Sequence, residues 1–207
     1  MAAESTLKNM VLCLTVVCLV CSAILGGVYV ITSEPIKEAS KKALIESIGK
    51  VLPEGGALSE AMQMDGYEYY VQTNDGSVSS YAVKSTVAGF GGPLTVMVGV
   101  LPDGTVFNTS VLSHSETPGL GAKCTSDEAF MAQWRGFSPD KTIAVSKDGG
   151  DVDAITASTI TSRAYSLAVA NAVNIVKKIQ GEACSSDAAS GASAVPSTSN
   201  EGGKTNE

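Results

Sequence analysis

From Met10 to Ile31 the chain reads MVLCLTVVCLVCSAILGGVYVI, without one charged residue. No other feature constrains the fold as strongly. About 20 residues at 1.5 Å rise cover a bilayer's hydrocarbon core, and a lone segment crosses it only as a helix. A cleaved signal peptide is the rival reading, but the stretch is too long for an h-region and no clean A-x-A site follows it. Val17 and Val20, directly before Cys18 and Cys21, make a poor lipoprotein site. The reading is a short tail at 1–9 and a transmembrane helix at 10–31. Lys37, Lys41, Lys42 and Lys50 follow the span while Lys8 alone precedes it, so a positive-inside count puts the remainder in the cytoplasm.

Ser33-Glu34-Pro35 looks like a helix start, and Ile36, Ala39, Ala43, Leu44, Ile48 and Val51 then recur at helical spacing. A connecting helix is therefore expected within 32–55. A single domain at 56–181 follows, large enough to bury a core without disulfides or metals. The tail at 182–207, Ser, Ala, Gly and Thr with few large apolar groups, is expected to stay disordered.

The net charge of −7, among 207 residues, argues against nucleic acid, whose phosphates need clustered Lys and Arg. Cys13, Cys18 and Cys21 lie in the apolar run and read as small membrane-helix residues; one CxxC without a second pair or a His is a weak zinc signal. Cys124 and Cys184 read as free thiols, and no metal site is expected.

Within the domain, Tyr67–Thr73 and Ser79–Ser85 flank Asp75-Gly76, a strong hairpin signal. Leu94–Leu101 and Thr105–Ser113 flank Pro102-Asp103-Gly104, a second one. Gly89, Gly91 and Gly92 read as turn chemistry. Thr125 and Glu128 suggest a capping box on a short helix that carries Phe130 and Trp134 and stops at Gly136. Ile143–Val145 and Val152–Ile155, around Lys147-Asp148-Gly149-Gly150, suggest another hairpin. Tyr165, Ala168, Val169, Ala172, Val173, Val176 and Ile179 form the stripe of a last helix from about Ser162, closed by Gly181. The fold class is α+β: one transmembrane helix, then an antiparallel sheet with flanking helices.

The segment Asp153-Ala154-Ile155-Thr156-Ala157-Ser158-Thr159-Ile160-Thr161-Ser162 precedes that last helix. Small residues at 157 and 158 allow close approach of a bulky group, and Thr156, Thr159 and Thr161 carry hydroxyls. Free N–H groups at a helix start favour a phosphate. An ordinary N-cap by Thr161 or Ser162 explains the same residues. A second stretch, Ser113-His114-Ser115-Glu116-Thr117-Pro118-Gly119-Leu120-Gly121-Ala122-Lys123, has backbone glycines able to approach a flat ring. His114, the only histidine, lacks a metal partner and reads as a loop residue, and Trp134 reads as core.

Together with Gly91-Gly92-Pro93-Leu94-Thr95-Val96-Met97-Val98-Gly99, these motifs resemble the G subunit of Rnf electron-transport complexes and the related C subunit of sodium-pumping NADH:quinone reductases. The flavinylation pattern there is Asp, two variable residues, Ser or Thr, Gly, Ala, Thr; here Ala157 stands for the Gly and Ser158 for the Ala. The wording of the Glu-Thr-Pro-Gly-Leu-Gly loop is nearer the Rnf form.

The resemblance implies FMN held by a phosphoester to Thr159, attached by a dedicated flavin transferase that uses flavin adenine dinucleotide. It implies further cofactor contacts from Thr156, Ser158, Ile160, Glu116, Thr117, Gly119, Leu120, Gly121 and Lys123. It implies an electron-relay subunit of an ion-translocating ferredoxin:NAD oxidoreductase, with no catalytic residue of its own and with the other Rnf subunits as partners. It also places the flavin domain outside the cytoplasmic (inner) membrane, against the lysine count. The alternative is a membrane-tethered binding or scaffold module without cofactor.

Overall fold

A computed structural model of the chain describes residues 7–181. The remainder of the N-terminal tail and the expected disordered tail at 182–207, with Cys184, lie outside the described residues. The chain divides into two compact units, Met1–Leu44 and Ile45–Glu207.

Helix α1 runs unbroken from Leu7 to Val51. It carries the one span among the described residues long and apolar enough to cross a membrane, and every residue from 8 to 32 is exposed. The separate helix start expected at Ser33-Glu34-Pro35 is not made: Pro35 lies inside α1. Proline removes one donor from the ladder but its φ suits a helix. Nearby hydroxyls bond backward along the turn, Thr32 Oγ1 to the Val28 carbonyl at 2.8 Å and Ser33 Oγ to that of Val30 at 3.2 Å. Neither bond reaches the Ile31 carbonyl, the acceptor that Pro35 leaves without its usual helical donor.

The second unit holds six strands: β1 (Ala57–Leu58), β2 (Met62–Met64), β3 (Tyr67–Asn74), β4 (Ser77–Ala88), β5 (Pro93–Val100) and β6 (Val106–His114). They form one antiparallel sheet in the order β1-β3-β4-β5-β6, with β2 also on β3. Both expected hairpins are present. Asp75 and Gly76 both take positive φ, +49° and +80°, as a two-residue turn matched to strand twist requires.

Strand β5 is buried from Leu94 to Val100. Leu94, Val96, Val98 and Val100 join Val83, Val87 and the buried side of helix α3 (Thr159–Ile179) in the main core. Thr95, Met97 and Gly99 face the other way, as strand alternation demands. There Val51, at the end of α1, lies against Gly99 so closely that a Cβ at 99 would overlap the Val51 carbonyl. Trp134 is core, as its sequence context suggested: fully buried and stacked on Tyr165 at 5.4 Å between ring centroids.

Two local expectations need correcting. The short helix α2 (Glu128–Ala132) is capped by Asp127, whose carboxylate accepts from the Phe130 N–H at 3.1 Å. Thr125 instead ends a 3₁₀ turn, Gly121–Thr125, and donates to the Ala122 carbonyl. The segment 143–155 is not a hairpin. Val145 and Val152 form one parallel bridge, because Ser146–Asp148 coil into a 3₁₀ turn and Gly149, at φ +83°, returns the chain in the same direction.

Candidate functional site

Helix α3 begins at Thr159, three residues earlier than its apolar stripe suggested, so Thr159 occupies the first helical position. Ser158 precedes it as N-cap but makes no capping hydrogen bond. The residue is 7% exposed, and among the described residues its buried hydroxyl has no hydrogen-bond partner. The turn leading in is fixed by Ser162, whose Oγ accepts from the Ile155 N–H at 2.9 Å and donates to the Ser158 carbonyl at 3.0 Å. Uncapped N–H groups, an orphaned hydroxyl and a half-buried Thr159 are the chemistry that an anion at this helix start would need.

Ala157 takes φ +62°. A left-handed φ costs an L-residue about 1–2 kcal/mol, which explains why the resembling pattern carries Gly here. Gly loses ~0.5–1 kcal/mol of unfolded-chain entropy in exchange. Ala157→Gly is therefore expected to stabilise the domain by about 0.5–1 kcal/mol. Thermal melting followed by circular dichroism checks this, and a lower midpoint in the variant would contradict it.

Three separated sequence motifs meet at Glu116. The residue is 5% exposed; one carboxylate oxygen accepts from the Phe90 N–H at 2.8 Å and the other from Thr161 Oγ1 at 3.0 Å. The Gly89–Gly92 turn, the Glu116 loop and the first turn of α3 are thereby tied together. Glycine is required on both sides of the carboxylate. A Cβ at Gly89 would strike Glu116 Oε1, and one at Gly121 would strike Glu116 Oε2 and lie 2.6 Å from Thr161 Oγ1. Glu116 thus holds the loops in place with both oxygens. Its backbone N–H donates to His114 Nδ1 at 3.2 Å, which gives the lone histidine a loop role.

The remaining expected residues surround this latch. Thr117 accepts through its carbonyl from the Leu120 and Ala122 N–H groups, shaping the turn in which Gly119 takes φ +78° with open space beside it. Leu120 and Ile160, 45% and 44% exposed, present apolar surface. Thr156 is exposed, and so is Lys123 on the 3₁₀ turn. Cys124 is buried beside Glu116, and burial followed by that carboxylate pushes its thiol up to about 11, so it is inert near neutral pH.

Sequence reasoning missed two groups. Lys147, read only as part of a turn, places Nζ 3.4 Å from Thr159 Oγ1. Asp148 and Arg163 form a bidentate pair at 2.6 and 2.7 Å that clamps the Ser146–Asp148 turn to α3. The Arg163 guanidinium holds the Asp148 carboxyl below its usual range, so the clamp persists above that range and is lost as pH falls through the lowered value. The two residues are 15 apart in sequence, beyond the reach of any local pattern, and meet only when the Ser146–Asp148 turn is set beside α3.

Known proteins are similar to this chain in sequence. The model of the FMN-binding domain family matches residues 89–174, from the Gly89 turn to the last turns of α3. The G subunit of the proton-translocating ferredoxin:NAD(+) oxidoreductase complex of Clostridium ljungdahlii is 31% identical over 172 residues, covering 81% of this chain and 90% of that protein. The chain belongs to the G-subunit family of ion-translocating oxidoreductase complexes. A second member, from Vibrio cholerae, is 30% identical over 190 residues, with 82% and 90% covered. Among solved structures, the C subunit of the Na(+)-translocating NADH-quinone reductase of Parabacteroides distasonis is 28% identical; 53% of this chain and 61% of that one superpose at a TM-score of 0.41. G subunits are parts of oxidoreductase translocases, and the domain described above is the FMN-binding domain of this one.

Proposed function

We propose that this G subunit holds FMN covalently on Thr159 and relays electrons within a membrane-bound ferredoxin:NAD oxidoreductase of the Rnf type. The observation that carries the reading is the placement of Thr159 at an uncapped helix start beside the orphaned Ser158 hydroxyl. A phosphoester there would gain N–H hydrogen bonds and the positive end of the α3 dipole. Gly119, Gly121, Thr117 and Leu120 would line the ring, while Glu116 positions them. Thr156 and Ile160 flank the attachment point, and Lys123 lies at the outer edge of the loop.

Attachment is a transfer from flavin adenine dinucleotide. The Thr159 oxygen bonds the flavin-side phosphorus, the bond from that phosphorus to the pyrophosphate bridging oxygen breaks, and AMP leaves with that oxygen. The hydroxyl proton is released, and a separate flavin transferase catalyses the step. Bound FMN would supply reversible one-electron chemistry, between a reduced centre of one neighbouring subunit and an oxidised centre of another. The protein's own part is to tether, orient and partly shield. A tether suits a domain on the outer side of the cytoplasmic membrane, where lost flavin is not replaced from the cell's pool, and we place the domain there.

Intact-mass measurement after co-expression with a flavin transferase tests the reading. The wild type should gain the mass of one FMN less one water, and Thr159→Ala should gain nothing. An increment that persists in the variant would move the attachment elsewhere; no increment in the wild type would leave a domain that binds FMN without a covalent bond.

A further inference from the structure

Lys147 stands at the tip of a turn that has no role in the core. Its ammonium lies 3.4 Å from Thr159 Oγ1, and among the described residues this is its one hydrogen bond. Its position is not left to a flexible loop. Asp148, the next residue, is held by both Arg163 contacts, and Arg163 itself stands on α3 one turn beyond Thr159. Ser146, on the other side, bonds the Val152 carbonyl through its N–H at 2.8 Å and through its hydroxyl at 3.1 Å. The charges around Thr159 are thus apportioned. The Asp148 carboxylate is matched by Arg163, Glu116 is turned toward Phe90 and Thr161, and Asp153 receives a hydrogen bond from Ser146 at 3.4 Å. Among the described residues Lys147, whose charge also favours the neighbouring Asp148 carboxylate, is the cation hydrogen-bonded to the threonine oxygen. Next to that threonine in the chain lies the Ser158 hydroxyl, more than nine-tenths buried and unpartnered.

We propose that Lys147 is the charge partner of a phosphodiester on Thr159, neutralising it both as it forms and in the loaded protein. The proposal rests on the attachment reading above. A phosphorus bonded to Oγ1 brings its anionic oxygen to within one tetrahedral edge of the oxygen that Lys147 already faces. Charge-assisted hydrogen bonds of this type are about twice as strong as neutral ones. The transfer step releases a proton and AMP, and negative charge at phosphorus grows along the way. A fixed cation beside the attacking oxygen offsets that growth.

The test uses the full-length chain purified in detergent from cells without a flavin transferase, then mixed with purified transferase and flavin adenine dinucleotide. Loading is followed by intact mass for the wild type, Lys147→Gln, Lys147→Arg and Thr159→Ala. Lys147→Gln should load about tenfold more slowly, since removing one charge-assisted hydrogen bond from a transition state has an effect of that order. Lys147→Arg should stay within about threefold of wild type because it keeps the charge. All variants should melt as wild type does. The phosphorus-31 resonance of the loaded protein should move in Lys147→Gln and hardly in Lys147→Arg. Loading of Lys147→Gln at the wild-type rate overturns the proposal. So does slow loading with an unmoved phosphorus resonance, which would mean that Lys147 serves only to dock the transferase. If the wild type itself fails to load, or Thr159→Ala loads, the attachment reading falls first, and the proposal with it.

Discussion

Glu116→Ala is expected to lower the stability of the domain by about 3 kcal/mol, and Glu116→Gln by about 1 kcal/mol or less. The alanine variant strands two donors, the Phe90 N–H and the Thr161 hydroxyl, the latter on a residue 1% exposed. A donor left unpaired in such surroundings costs ~1–3 kcal/mol, and bonds to a charged acceptor are worth ~1.5–3 kcal/mol each. Part of that loss is offset, because the variant no longer buries a carboxylate. Glutamine keeps both contacts. Its oxygen accepts from Phe90, its amide donates to Thr161, and the threonine hydroxyl reverses its role at no steric cost. The contrast between the two variants therefore separates a latch made of hydrogen bonds from one that depends on charge. Melting of the full chain by circular dichroism checks it: Glu116→Ala should drop the midpoint by roughly 10 °C. A drop of equal size in both variants would mean that the anion itself is needed; no drop in Glu116→Ala would mean that the three loops are held by something else.

The latch also shows what the sequence made visible and what it did not. The long apolar N-terminal helix, the β3–β4 and β5–β6 hairpins and the apolar stripe of α3 follow from local periodicity and turn chemistry, and the structure contains each of them. The motif segments of the site were legible because their residue types are unusual: a run of small hydroxyl residues before a helix, and two glycines around Leu120. What local patterns do not encode is which segment bonds which. Glu116 and Thr161 are 45 residues apart, and Asp148 and Arg163 are 15 apart, so each pair exists only once the sheet and α3 are assembled. Glu116 accordingly read only as a ring contact, and its bonds to Phe90 and Thr161 were not foreseen. The start of α3 was placed late for a related reason. The apolar stripe begins inside the helix, and the first turn is polar because it belongs to the site. Pro35 misled in the opposite direction, since its fixed φ is compatible with a helix and one missing ladder bond does not end a long apolar one.

Gly99→Ala is the other change with a large expected effect, about 3 kcal/mol of lost stability. A methyl group at this position would overlap the Val51 carbonyl oxygen, with the carbonyl carbon 2.7 Å and the Val51 Cβ 3.1 Å away. These are mostly backbone atoms, which cannot rotate aside as a long side chain would. Relief requires the end of α1 to lift from β5, yet that segment is pinned on both sides of Val51. Asn108 Nδ2 donates to the Lys50 carbonyl at 2.9 Å and Gln72 Nε2 to the Pro53 carbonyl at 3.0 Å. Lifting would also expose Ile48, Val51 and Leu52, all buried. Overpacking of this kind costs ~1–3 kcal/mol, and more where the backbone itself must move. Gly49→Ala is the control. It lies in the same helix with nothing within 4 Å of its Cβ, so helix propensity makes it neutral or up to ~1 kcal/mol stabilising. Paired melting curves of the two full-length variants decide the matter. If Gly99→Ala melts with the wild type while Gly49→Ala is raised, the end of α1 is not packed on β5, and the glycine serves only the strand.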